Sequence, residues 1–177
     1  MLTRHLADVC PNAGRCLLPW GLDPVGARFV EAQSFLFANG DSLEPVLDYK
    51  FEGTAEKYGA PMYYAHRVDL HDELKRMAFD KDGPGKPPKL RLKTEATGYD
   101  PEAGVVKLSD GSEVKGDLII GADGIHSKAV EYVIGKTVPA VPSGSSCFRF
   151  LIQTQDLLDD PVTAALMDHH EGRVSIS

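Results

Sequence analysis

The 177-residue chain lacks the features that mark several classes of protein. It has no run of about 18 apolar residues, so we expect no membrane span. Its first residues, MLTRHLADVC, lack the long apolar core of a signal peptide. Basic residues are in the minority, 19 against 26 acidic ones, and the net charge of −7 argues against binding to nucleic acid. Cysteine is scarce, and Cys10, Cys16 and Cys147 do not have metal-site spacing. We therefore predict no bound metal, and reduced thiols in a cytoplasmic protein.

Apolar residues make up 42% of the chain, which is enough for a folded domain with a hydrophobic core. Short strand patterns occur in the same chain as amphipathic helix patterns, so the sequence predicts a mixed α/β (α+β) fold. Asn39-Gly40 predicts a hairpin between Ser34–Ala38 and Ser42–Tyr49, with Pro45 placing the second strand at a sheet edge. A second hairpin is predicted around Ser109-Asp110-Gly111. Further predictions are a short helix after Pro11 with Trp20 in the core, a loop over Gly53–Met62, and strands over Leu90–Thr97, Cys147–Thr154 and Arg173–Ile176.

The stretch GDLIIGADGIHSKAV carries the clearest functional pattern. Leu118–Gly121 is typical of a short buried strand, Asp123 and Gly124 form a tight turn, and Ser127 can cap a helix that ends before Gly135. Such a strand, turn and helix lie at the carboxyl edge of an α/β sheet, where cofactors bind. The alternative is that Asp123 and Gly124 are only a turn leading into an ordinary helix.

A second stretch, Tyr63–Asp80, predicts an amphipathic helix capped by Asp69. Arg67 stands just before that predicted start, and it is either a residue that reaches a neighbouring site or a solvated surface arginine. In the predicted strand CFRFLIQT, alternation places Arg149 on the face opposite two phenylalanines, toward either a substrate cavity or solvent. The predicted buried stripe of the helix consists of Leu70, Leu74, Met77 and Ala78.

Four segments resemble, in order, those of one family, the FAD-dependent aromatic-ring monooxygenases of the p-hydroxybenzoate and salicylate hydroxylase type. DLIIGADGIHSKAV is similar to the family's Asp-Gly fingerprint, and Arg67 in HRVDLHDEL resembles the arginine that contacts the flavin cofactor. CPNAGRCLLPWGL resembles the Pro-Asn-Ala segment with its Trp-Gly-Leu turn, and CFRFLI resembles the strand with an arginine near the substrate cavity. The resemblance covers nearly the whole chain.

The resemblance implies a monooxygenase that binds FAD, takes electrons from NAD(P)H, and inserts one oxygen atom of O2 into an aromatic or similar small organic substrate. It implies that Arg67, Asp123 and Gly124 bind the cofactor and that Arg149 is the catalytic residue on the substrate side. It also implies a partial Rossmann-like FAD-binding domain over residues 1–27 and 63–135. Residues 28–62 and 136–177 then belong to a β-rich substrate domain.

The chain departs from the family pattern at both ends. It contains no G-x-G-x-x-G, the motif that cradles the pyrophosphate, and the family's glycine-rich stretch falls on Arg4–Ala7, which has no glycine. The family's later Gly-Asp motif would lie beyond Ser177. We therefore expect the middle portion of a family member, with a protein partner covering the missing N-terminal unit. The alternative hypothesis is a catalytically silent fragment or interaction module without bound flavin.

Overall fold

The computed structural model describes residues 6–39, 42, 44–83, 85–139, 141–144, 152–164 and 173–176. The chain divides into two compact units, residues 1–88 together with 148–177, and residues 89–147. Both contain helix and strand, which confirms the predicted mixed fold class. The strands are β1 (Leu6–Val9), β2 (Val30–Glu31), β3 (Ser34–Ala38), β4 (Pro45–Lys50), β5 (Tyr63–His66), β6 (Ala96–Asp100), β7 (Val105–Leu108), β8 (Glu113–Lys115) and β9 (Arg173–Ile176). The helices are α1 (Pro11–Leu17), α2 (Thr54–Tyr58), α3 (Arg67–Ala78), α4 (Ala129–Ile134), α5 (Thr154–Asp159) and α6 (Pro161–Ala164).

The first unit contains two three-stranded sheets. In one, β5 lies between β1 and β2 and is antiparallel to both. In the other, β3 lies between the antiparallel β4 and the parallel β9. The β3–β4 hairpin is confirmed, and β4 is an edge strand as Pro45 predicts. Its connection is longer than a two-residue turn, because the Asn39 amide donates to the Glu44 carbonyl at 2.9 Å.

The core of the first unit is built around Ala32, Met62 and Tyr64, with Phe51 packed against them. The Tyr64 hydroxyl donates to the Ser34 carbonyl at 3.1 Å, and this bond joins β5 to β3. Burial raises the pKa of Tyr64 to about 12, so the hydroxyl is protonated at neutral pH and can donate this bond. The side chain therefore contributes both apolar area and a fixed hydrogen bond to the contact between the two sheets.

The second unit is an antiparallel meander with β7 between β6 and β8. The hairpin predicted around Ser109-Asp110-Gly111 is confirmed. Gly104 closes the turn before β7 with φ +65°, and a Cβ placed there would lie 2.3 Å from the Gly116 carbonyl oxygen. The strand predicted over Leu90–Thr97 is wrong in position, because pairing with β7 begins only at Ala96, opposite Leu108.

The strand predicted over Leu118–Gly121 is wrong. These residues are outside every β-ladder, and the Leu118 and Ile120 side chains are 79% and 78% exposed. An apolar run becomes a strand only when a neighbouring backbone pairs with it. None of the described strands pairs with this segment.

Two predictions in the first unit are also wrong. Trp20 is 71% exposed rather than in the core, because α1 ends at Leu17 and Trp20 lies in the turn that follows. The loop predicted over Gly53–Met62 contains α2, which lies between two glycines of positive φ. Those glycines begin and end the helix by allowing left-handed backbone at Gly53 and Gly59.

The strand predicted at Arg173–Ile176 is confirmed as β9. The strand predicted at Cys147–Thr154 lies mostly outside the described residues, and Thr154 begins α5. Arg149 and Cys147 are among the residues outside the description. Within the described ranges, every helix is too short or too polar to cross a bilayer. The same ranges contain no group of three His, Cys, Asp or Glu side chains placed to hold a metal ion.

Candidate cofactor site

β5 runs directly into α3, and Arg67 is the first residue of that helix. His66 caps the helix, because its Nδ1 accepts a hydrogen bond from the Val68 amide at 3.3 Å. The predicted cap at Asp69 is therefore wrong, and Arg67 belongs to the helix instead of preceding it. Asp69 lies in the first turn, where its Oδ1 is 2.5 Å from Arg28 Nη2.

The Arg67 side chain is exposed. Within the described part of the chain it makes no hydrogen bond and no ion pair. A guanidinium at a helix N-terminus adds its charge to that of the helix dipole, and both favour an anion. The local chemistry at Arg67 therefore suits a phosphate or another anionic group of a ligand.

The buried face of α3 carries a carboxylate instead of the predicted apolar stripe. Glu73 is 7% exposed, whereas Leu74 is 38% exposed, Leu70 and Met77 are half-buried and Ala78 is exposed. The predicted stripe is wrong because the helix meets the turn after α1 through polar contacts. Hydrogen bonds from Arg76, and next from the Asp23 amide, hold the pKa of Glu73 below its usual range despite burial.

Asp123 and Gly124 lie in the second unit, at a single turn of 3₁₀ helix over Gly124–His126. Asp123 is exposed, and its Oδ2 accepts a hydrogen bond from the Lys128 amide at 3.1 Å. A hydrogen bond from Ser127 lowers the pKa of Asp123, so the side chain is a carboxylate at neutral pH. The helix predicted after this turn is confirmed as α4, with Gly135 at its end in left-handed conformation. The predicted Ser127 cap is wrong, because Lys128 occupies the N-cap position of α4 and makes no side-chain capping bond.

The Asp123 turn is held against the sheet of its own unit. Tyr99 of β6 stacks edge-on against Tyr132 of α4, with 5.2 Å between ring centroids. Burial, followed by the nearby Asp123 carboxylate, raises the pKa of Tyr99. A Cβ at Gly121 would lie 2.5 Å from the Ala129 Cβ, so only glycine permits this approach.

Arg67 belongs to the first unit, Asp123 and Gly124 belong to the second, and Arg149 lies outside the described residues. Sequence reasoning missed the Glu73–Arg76 pair, although an acid three residues before a base on one helix indicates such a pair. It also missed a cavity of about 650 Å³ in the first unit, lined among others by Ser34, Lys50, Phe51, Thr54 and Met62. No sequence pattern marks that cavity.

No family model matches the chain. The chain is 37% identical to the FAD-dependent monooxygenase phomE' of Diaporthe leptostromiformis, over 92% of this chain and 41% of that protein. It is 40% identical to the FAD-dependent monooxygenase cfoG of Aspergillus candidus, over 93% of this chain and 38% of that protein. The hispidin-3-hydroxylase of Neonothopanus nambi is 36% identical over 85% of this chain and 35% of its own length. The chain thus spans about two-fifths of the length of these curated relatives.

The fold is also similar to a crystal structure of HpxO from Klebsiella pneumoniae complexed with FAD. The TM-score is 0.59 and the sequence identity 23%, over 75% of this chain and 34% of that one. This likeness concerns the fold, and the relatives above supply the family. More than nine-tenths of the chain is similar in sequence to FAD-dependent monooxygenases. The chain therefore belongs to the FAD-dependent monooxygenase family.

Proposed function

We propose that the chain contributes to an FAD-dependent monooxygenase that hydroxylates a small aromatic substrate. In the overall reaction, substrate, O2, NAD(P)H and a proton give the hydroxylated product, NAD(P)+ and water. One observation carries the proposal, namely 37–40% identity to FAD-dependent monooxygenases over more than nine-tenths of the chain. Bound FAD would supply the electron transfer and the activation of O2 that protein side chains cannot supply.

The residues of the first unit fit an anionic cofactor at Arg67. This guanidinium is exposed and has no partner within the described residues, so it can give its charge and its donors to a ligand. Because the first turn of α3 is held by the Arg28–Asp69 pair, Arg67 stands on an anchored helix end. We therefore assign Arg67 to FAD binding.

In the second unit we assign Asp123 and Gly124 to the cofactor, with different roles. The Asp123 carboxylate holds the turn by accepting hydrogen bonds from its own segment. Gly124 has φ +80° and open space where a Cβ would stand, so a ligand can approach the backbone closely there. We assign Arg149 to the substrate side, where its charge would hold an anionic substrate or stabilise charge that develops during oxygen transfer.

The finer architecture belongs to the same proposal. Residues 1–27 and 63–135 would form part of a Rossmann-like FAD-binding domain, and residues 28–62 and 136–177 part of a β-rich substrate domain. A protein partner would cover the exposed apolar segment at Leu118 and Ile120, because large apolar side chains exposed together mark an interaction surface.

The visible spectrum of the purified chain, before and after addition of FAD, tests the proposal. We expect flavin absorbance that approaches one FAD per chain and survives gel filtration. NADH and NADPH are then compared as donors by loss of that absorbance under anaerobic conditions. A chain that stays colourless and leaves the fluorescence of added FAD unchanged would support the alternative, a silent module of this fold.

A further inference from the structure

We propose that Glu73 and Arg76 are positioning residues that lock the turn at residues 21–29 onto α3 and so fix the helix on which Arg67 stands. This inference rests on the proposed role of Arg67 toward FAD. The turn and α3 both belong to the first unit.

Hydrogen bonds join Glu73 to Arg76 and join both side chains to the turn. Arg76 Nε donates to Glu73 Oε2 at 2.8 Å and Arg76 Nη2 donates to Glu73 Oε1 at 2.7 Å, so the pair is bidentate. Two further bonds reach the turn. The Asp23 amide donates to Glu73 Oε1 at 2.9 Å, and Arg76 Nη2 donates to the Gly21 carbonyl at 2.8 Å.

The far end of the turn is tied to the same helix. Arg28 has φ +59°, a left-handed conformation that is uncommon for a residue with a side chain. Its guanidinium pairs with Asp69 at 2.5 Å, two residues after Arg67. The turn therefore contacts α3 near its start through Arg28, at its middle through Asp23 and near its end through Gly21.

Burial on α3 is greatest at a charged residue. Glu73 is the buried residue of α3, and a glutamate is rarely buried unless it is paired. Hydrogen bonds are directional, whereas apolar contacts tolerate sliding and rotation. A helix seated through Glu73 and Arg76 is therefore fixed in its rotation about its own axis, which decides where Arg67 points.

The first measurement does not depend on FAD. Trp20, the one tryptophan of the chain, directly precedes Gly21 and reports on the turn. In Arg76→Met we expect hydrogen exchange at the Asp23 amide to rise by roughly tenfold or more, and the anisotropy of Trp20 emission to fall. Lys75→Met is the matched control, because it removes the neighbouring exposed cation of the same helix. Unchanged exchange in Arg76→Met would overturn the proposal.

The second measurement is a double-mutant cycle on the dissociation constant for FAD. If Arg76 acts through Arg67, Arg76→Met weakens binding in the parent chain and adds nothing to Arg67→Ala. Arg76→Lys, which keeps the charge, should recover part of the affinity. Fully additive losses would overturn the positioning role while leaving the proposed function intact. Absence of FAD binding by the parent chain would overturn the proposed function and, with it, the role of Arg76 toward FAD.

A third variant separates positioning from folding. Glu73→Met combined with Arg76→Met replaces the buried pair by apolar groups of similar size, a change that often preserves stability. We expect this chain to keep its cooperative unfolding while showing the same fast exchange at Asp23. Slow exchange in this double variant would overturn the proposal, because the turn would then be held without the pair.

Discussion

Arg67 and Glu73 stand six positions apart on one helix, and their surroundings are opposite. The Arg67 guanidinium is exposed and has no partner within the described residues, whereas Glu73 is buried and accepts three hydrogen bonds. Arg67 can therefore bind a ligand, whereas Glu73 stabilises the fold. Substitutions at the two positions should therefore affect different measurements.

Arg67→Ala should weaken FAD binding without changing the thermal stability of the chain. Loss of one hydrogen bond to a charged group, about 1.5–3 kcal/mol, corresponds to a rise in the dissociation constant of roughly 10- to 150-fold. A titration followed by FAD fluorescence measures this dissociation constant. Arg15→Ala, an exposed arginine at the end of α1, is the control. Equal affinities for the parent chain and Arg67→Ala would remove Arg67 from the site.

Glu73 should make stability depend on pH in the acid range. Because the pKa of Glu73 is lowered in the folded chain, its contribution to the free energy of unfolding is complete above the pKa of the unfolded chain. It is lost as the pH falls through the lower, folded value. Between about pH 6 and pH 3, Glu73→Gln should lose less stability than the parent chain in urea unfolding. Parallel losses in the two proteins would contradict this role.

At the residue scale, the sequence predicted Arg67 just before the helix, whereas the structure makes it the first residue of α3. The pattern favoured an Asp69 cap, and the structure uses His66 while Asp69 bonds Arg28, a residue distant in sequence. It also favoured a leucine stripe where Glu73 is buried. Asp69 and Glu73 are both bonded to residues of the 21–29 turn, which no local pattern along α3 indicates.

At the scale of elements, local patterns succeeded where the partner is close in the chain. The hairpins at residues 34–50 and 105–115 were predicted because turn residues and paired strands are adjacent. The strand predicted at Leu118–Gly121 was wrong, because a strand forms only where another strand pairs with it. The hydrophobic run does not indicate whether such a strand is present. The helix beyond was predicted correctly, since Gly135, the glycine that ends α4, directly follows it in the chain.

The contact between Gly121 and α4 can be tested by a substitution at Gly121. Gly121→Val should destabilise the second unit by roughly 1–3 kcal/mol, because its Cβ would overlap the Ala129 Cβ. Near-ultraviolet dichroism of the Tyr99–Tyr132 pair during urea unfolding would report the loss. Gly85→Val is the control, because Gly85 has open space at the Cβ position and no positive φ. Equal stability of Gly121→Val and the parent chain would contradict the predicted overlap.

At the scale of the whole molecule, the second unit exposes large apolar side chains that a folded surface normally covers. Their exposed fractions are 79% for Leu118, 78% for Ile120 and 89% for Ile125. The proposed partner surface predicts that the isolated chain self-associates at raised concentration. Sedimentation velocity should show more than one species.

A double substitution tests whether this segment causes the self-association. Leu118→Ser combined with Ile120→Ser should shift the sedimentation profile toward monomer. Val25→Ser, which removes an 87% exposed apolar side chain of the first unit, should not. A single sharp monomer boundary for the parent chain would count against a partner surface at this segment.

The close approach at Gly104 has a consequence for how this protein tolerates change. The carbonyl oxygen that faces position 104 occupies the volume of any β-carbon, and the backbone there is left-handed. We therefore expect related sequences to keep glycine at position 104 even where the flanking strands vary. A saturation library sorted for folded protein should return one amino acid at 104 and many at the exposed positions beside it.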